Sequence, residues 1–210
     1  MSTSKCLLRG SNSPRPSASR RRTLALLGGS LCFGNSGLAH AAFHGINVAG
    51  QEYGPVPKLV DQFRHRRHLA DFKGRVVLLF FGFTQCPDVC PTALSRAVET
   101  LRMLGDDGDK VQVIFVTLDP ERDTPNLLQA YMAAFHPKFL ALRGNSTQTA
   151  SAAAAFKVMY QKVPTGNGGY TMDHTAITFV IDREGRLRLA LRHSQTAREV
   201  ADDVAQLLRE

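Results

Sequence analysis

Cysteine is scarce in this chain, with four residues among 210, and two of them, Cys6 and Cys32, lie in an N-terminal stretch of different composition from the rest. What remains is a single close pair, Cys86 and Cys90. Two thiolates alone do not complete a structural zinc site, which takes four ligands. No apolar run reaches the ~20 residues that a membrane-spanning helix needs. Internal repeats are absent, and so are low-complexity tracts beyond the N-terminal stretch. Acidic residues are missing from positions 1–41, although six of the chain's 26 basic residues are there (Lys5, Arg9, Arg15, Arg20, Arg21 and Arg22). The formal net charge of +8 therefore comes mostly from that stretch. The remainder is nearly balanced, which excludes a nucleic-acid footprint.

Residues 1–41 have the layout of an export signal: basic residues, an apolar run from about Leu24 to Phe33, and Ala39-His40-Ala41 as a small-residue cleavage site. Arg21-Arg22-Thr23-Leu24 loosely resembles a twin-arginine signal. An uncleaved membrane anchor and a mitochondrial transit peptide are the alternatives. The expected location is thus the periplasm, free or held at the membrane through the N-terminus, or else the mitochondrial intermembrane space. Outside the cytoplasm a disulfide can persist, so the remaining thiol pair needs either a reductant or a metal to stay open.

The length suits one domain behind this leader. Residues 42–57, rich in Gly and Pro, read as an irregular arm, and 58–74 have no clear pattern. Val76-Val77-Leu78-Leu79-Phe80-Phe81 is a continuous apolar run, the mark of a strand buried on both faces. Asp88 and Pro91 then open a helix to about Leu104, with apolar residues at three-to-four spacing. A strand over Val111–Leu118, a loop over Asp119–Pro125 and a helix to Phe135 follow. Next come a short strand near Leu140, a helix over Thr147–Phe156 and a strand at Lys157–Gln161. A hairpin of Thr175–Asp182 and Leu187–Leu191 and a helix over Ala197–Leu208 close the chain. This order predicts an α/β domain over residues 58–210, a central mixed sheet flanked by helices in the order of a thioredoxin-like fold.

The cysteine pair stands where the first long strand gives way to a helix. Residues four apart share a helix face, so both sulfurs can aim at one point. A helix N-terminus favours negative charge there, and the expectation is a lowered thiol pKa. Such a pair holds a soft metal, exchanges electrons as a dithiol, or does both. Copper(I), being soft, favours thiolate. A third ligand would come from histidine. His44, His65, His68, His136 and His193 lie in polar surroundings and read as surface residues. His174, just before the strand that begins near Ala176, faces the cysteine helix in a thioredoxin-like fold. It is either a ligand or a satisfied core histidine. Met172 offers a thioether but reads as packing, and Asp88 is either a helix cap or an acceptor near the site.

Three segments together, Thr84-Gln85-Cys86-Pro87-Asp88-Val89-Cys90-Pro91-Thr92, then Asp119-Pro120-Glu121-Arg122-Asp123-Thr124-Pro125, then Asp173-His174, closely resemble the SCO/SenC family. The resemblance runs from about Leu69 to Arg186. It implies a thioredoxin-like fold, copper as Cu(I) or Cu(II), and Cys86, Cys90 and His174 as its ligands. It also implies delivery to the dinuclear copper centre of a cytochrome c oxidase subunit. Oxidation of the pair to a disulfide abolishes a two-sulfur copper site, so an extracytoplasmic thiol reductant is the second expected partner. Gln85 and Phe83 stand where members often have histidine and tyrosine, and basic residues fill much of 58–74. The alternative is an extracytoplasmic thiol–disulfide oxidoreductase using Cys86 and Cys90 as its redox pair. Such enzymes separate their cysteines by two residues, whereas three intervene here, and Ala176 occupies the position of their cis-proline.

Overall fold

The computed structural model describes residues 42–166 and 168–210; the expected export signal lies outside them. Ten strands and four α-helices follow in chain order: β1 (Ile46–Asn47), β2 (Leu59–Asp61), β3 (Arg66–Arg67), β4 (Val76–Gly82), α1 (Val89–Leu104), β5 (Val111–Thr117), α2 (Pro125–Phe135), β6 (Leu140–Arg143), α3 (Ser146–Ala155), β7 (Tyr160–Pro164), β8 (Tyr170–His174), β9 (Ile177–Ile181), β10 (Leu187–Arg192) and α4 (Ala197–Arg209). Eight strands form one sheet in the order β1-β10-β9-β4-β5-β6-β2-β3, while β7 and β8 pair only with each other. The pairs β4–β5 and β5–β6 are parallel, whereas β4–β9, β9–β10 and β2–β6 are antiparallel. This is the expected thioredoxin-like mixed sheet. No helix among the described residues is long and apolar enough to cross a membrane.

The parallel core explains the unbroken apolar runs. All seven residues of β4 and all seven of β5 are buried, because helices cover both faces. Strand residues alternate between faces. On one face Phe80 packs beside Phe115, which meets Tyr131 of α2, and Gly82 meets Cys90 of α1. On the other, Phe81 packs on Phe156 and Phe179. α1 lies along α4 and buries Cys90, Ala93, Leu94, Ala97 and Thr100.

Three expectations change. The arm of residues 42–57 is not wholly irregular. Ile46–Asn47 adds an edge strand to β10, and Asp203, buried in α4, accepts the N–H groups of His44 and Gly45 at 2.8 Å each. Tyr53 stacks on Phe156 at 4.9 Å. Two residues of pairing are too few to leave a periodic signal. The unassigned stretch 58–74 forms the short β2–β3 hairpin and a 3-10 turn at Leu69–Phe72. There Asp61 accepts from the backbone N–H groups of Phe63 and His65 and from Arg67 Nε. Burial pushes the Asp61 carboxyl up, but these donors outweigh it and hold it below the ordinary range. The third change concerns the segment before β9. The strand expected at Lys157–Gln161 begins at Tyr160, and it pairs with a strand not foreseen, β8.

Candidate metal centre

The site lies at the C-terminal end of β4. After Phe83 the chain leaves the sheet, turns through Cys86, whose N–H reaches the Phe83 carbonyl at 3.3 Å, and enters α1 at Val89. Cys86 is half-buried in this turn, and Cys90, in the first turn of α1, has no exposed surface. Both are free thiols. The Cys90 N–H points at Cys86 Sγ at 3.5 Å, so one of the unpaired donors of the helix N-terminus is spent on sulfur. Asp88 is the N-cap residue, yet its exposed side chain accepts only from Thr92 Oγ1 at 3.3 Å and makes no cap bond.

His174 arrives from the other side as the last residue of β8, rather than from a loop. Tyr170, Met172 and His174 alternate onto one face of that strand. Met172 is 5% exposed and packs in the core, as its sequence context suggested. The His174 ring stands edge-on to Phe80 and Phe83, 6.0 Å from each. Its Nδ1 lies 3.1 Å from the Thr175 carbonyl. A carbonyl only accepts, so Nδ1 carries the proton and Nε2 is the acceptor nitrogen. In the metal-free site that Nε2 accepts from the Cys90 thiol at 3.7 Å. Burial lowers the His174 pKa, against smaller upward contributions from the Thr175 carbonyl and Asp173, and keeps the imidazole neutral at pH 7.

Cys86, Cys90 and His174 form the group of three possible ligands found among the described residues, their ligand atoms all within 4.8 Å of one another. A metal at ~2.3 Å from sulfur and ~2.0 Å from nitrogen, with trigonal angles, would set the two donors about 3.7 Å apart. The observed Cys90–His174 separation equals that span. His44, His65, His68, His136 and His193 do not join the group.

One expectation about the thiols is reversed. The helix N-terminus does not dominate at Cys90. Burial raises its pKa far above the ordinary thiol value, a backbone hydrogen bond at Phe83 opposes this weakly, and the adjacent Cys86 adds to the rise. A buried thiol in this position keeps its proton until a cation replaces it.

Gly82 makes room for that sulfur. A Cβ there would lie 2.6 Å from Cys90 Sγ, 2.8 Å from Phe115 and 2.9 Å from Phe80. Gly82→Ala should therefore cost about 1–3 kcal/mol through overpacking. It should also make Cys90 react faster with a thiol reagent; urea unfolding and thiol kinetics read the two effects.

Two residues in the loop after β5, within a segment that carries the family resemblance, support the site. Asp123, 1% exposed, accepts from Thr84 Oγ1 (2.6 Å), Thr84 N (3.1 Å) and Thr117 Oγ1 (2.5 Å), fixing the start of the cysteine turn to the end of β5. Burial pushes its carboxyl upward despite these donors. Arg122 reaches both Gln85 and Tyr170. The acidic and basic neighbours in Asp119-Pro120-Glu121-Arg122-Asp123 were the visible signal.

The profile of SCO1/SenC matches residues 49–209. The chain belongs to the SCO1/SenC family. Among its relatives in that family are an SCO2-like protein of Rickettsia prowazekii, 38% identical over 131 residues (61% of this chain and 64% of the relative), and the human mitochondrial SCO2 homolog, 35% identical over 149 residues (70% and 56%). This SCO1/SenC chain thus spans less than two thirds of those relatives' length. Similar solved structures include Bradyrhizobium japonicum ScoI with copper bound, at 41% identity and TM-score 0.69 over 75% of this chain and 100% of that one. Apo Sco1 from Thermus thermophilus is 39% identical with TM-score 0.69, over 82% of this chain and 99% of that one.

Proposed function

We propose that this protein is a copper metallochaperone that holds copper through Cys86, Cys90 and His174 and delivers it to the dinuclear copper centre of a cytochrome c oxidase subunit. The observation that carries the reading is the 3.7 Å approach of the unprotonated imidazole Nε2 to a buried thiol beside a second thiol. Two soft sulfurs suit copper(I), and the added imidazole extends the set to copper(II). Copper is cargo here. Half-buried Cys86 is the sulfur that an incoming ligand of the acceptor can reach, so ligand exchange starts there, while Cys90 and His174 release last. Oxidation of the pair to a disulfide removes both thiolates, so an extracytoplasmic dithiol must return two electrons and two protons before loading. The N-terminal composition and the family's mitochondrial relative support a place outside the cytoplasm, either the periplasm, free or membrane-anchored, or the intermembrane space.

Copper titration of the reduced protein should saturate near one equivalent. His174→Ala should lower copper affinity by about 100-fold, the upper end of what a lost supporting partner costs a metal site, and should erase the imidazole contribution from the copper(II) spectrum. Unchanged affinity in that variant would remove the metal-carrier reading.

The oxidoreductase reading has one observation in its favour: a half-buried thiol next to a fully buried one at a helix start, the pairing of an attacking with a resolving cysteine. It predicts turnover in insulin reduction that His174→Ala leaves intact, with no copper uptake.

A further inference from the structure

The hairpin that carries His174 has no strand-to-strand pairing with the main sheet. An isolated two-stranded hairpin is marginal in water, so its pose must come from contacts other than sheet pairing. At its base, the Thr175 N–H donates to the Met159 carbonyl at 2.9 Å and the Met159 N–H to Thr175 Oγ1 at 3.1 Å. Four residues up the strand, on the same face as His174, is Tyr170. Its ring centroid lies 3.7 Å from the Arg122 guanidinium and 4.6 Å from Lys162 Nζ. Arg122 Nη1 donates to the Tyr170 carbonyl at 2.7 Å and to Gln85 Oε1 at 2.9 Å, and its Nε is held by buried Asp119. Asp119 also accepts from Tyr170 Oη at 2.9 Å. One guanidinium thus joins the neighbour of Cys86 to the strand that ends at His174.

We propose that Arg122 is a positioning residue: it clasps the β7–β8 hairpin at Tyr170 and so sets the distance between His174 and the cysteine turn, without touching the metal. The inference rests on the copper-site reading above and adds to it the contact that preorganises the third ligand. Lysine cannot replace the arginine, because the role uses a planar fork stacked on an aromatic face and bonded at two edges.

The test compares the reduced full chain with its Arg122→Gln, Arg122→Lys, Gln85→Ala and Tyr170→Leu variants in two readouts. In the metal-free protein, amide hydrogen exchange should accelerate across residues 160–174 in the Arg122 and Tyr170 variants and stay unchanged in β4 and β5. Copper affinity should fall about tenfold in those variants, as for other outer partners of a metal site. It should fall by less in Gln85→Ala, which removes one of the bonds of the clasp, and it should not fall further when Arg122→Gln is added to His174→Ala, because the clasp acts through the imidazole. An equal fall in the His174→Ala background would overturn the proposal, and so would unchanged hairpin exchange. If His174→Ala itself leaves affinity intact, the ligand reading fails, and the exchange data on the metal-free protein still judge the clasp by themselves.

Discussion

Cys90→Ser should reduce copper affinity more than any other single change in this protein, by well over the ~100-fold that loss of an outer partner can cost. Cys90 is the shared vertex of the site: its sulfur lies 3.7 Å from His174 Nε2, and its own N–H bonds the sulfur of Cys86. Serine keeps the shape and is accommodated where Gly82 leaves space. Its hydroxyl is a hard donor that stays protonated at neutral pH, so it supplies neither the charge nor the softness of a thiolate. The fold should persist, because the substitution deletes no buried carbon. A competition titration against a copper chelator reads the affinity, and thermal unfolding checks the fold. Met172→Leu is the companion measurement. Met172 shares a strand face with His174 but packs in the core, so a near-isosteric swap should leave affinity unchanged. A Cys90→Ser protein that still takes up one equivalent at native affinity would refute the assignment.

The central fold was readable because burial on both faces leaves a continuous apolar run, as in Val76–Phe81, and because Pro125 marks a helix start that the structure places at Pro125 itself. The cysteines were legible for a related reason, a strand-to-helix edge framed by Pro87, Asp88 and Pro91. What escaped the sequence was made by long-range contacts. β8 alternates Tyr, Met and His on one face, but β7 and β8 are short and pair only with each other, so neither carries the continuous apolar run of a strand in the central sheet. Ile46–Asn47 reads as loop because only its partner β10 makes it a strand. The raised Cys90 thiol escapes the sequence because a helix terminus can be seen locally, whereas complete burial against Gly82 cannot. The pieces of the Arg122 clasp are distant in sequence, at Gln85, Asp119 and Tyr170, and meet only in three dimensions.

The raised Cys90 thiol makes copper binding strongly pH-dependent, with a sign that follows from where the protons sit. In the metal-free protein Cys90 holds its proton throughout the neutral range because burial disfavours the thiolate. Copper binds the thiolate, so each loading event releases that proton, and affinity rises about tenfold per pH unit for every proton displaced. His174 adds nothing to the slope between about pH 6.5 and 8. Burial has already lowered its pKa, so the imidazole is neutral before copper arrives, and proton competition at Nε2 begins only below the ordinary histidine value of ~6.5. The expected result is a slope of at least one in log affinity against pH for the native protein. The slope should be unchanged in His174→Ala, despite its weaker binding, and smaller by one in Cys90→Ser. Stability of the metal-free protein runs the opposite way. A thiol whose folded pKa lies above its unfolded value of ~8.5 contributes its full stabilisation below that value and loses it as pH rises toward the folded pKa. Raising the pH from 7 to 9.5 should therefore lower the melting temperature without copper and widen the gap between loaded and empty protein. A pH-independent affinity would mean that Cys90 is already a thiolate in the empty site, and a buried anion beside Cys86 would then need a positive partner that none of the described contacts supplies.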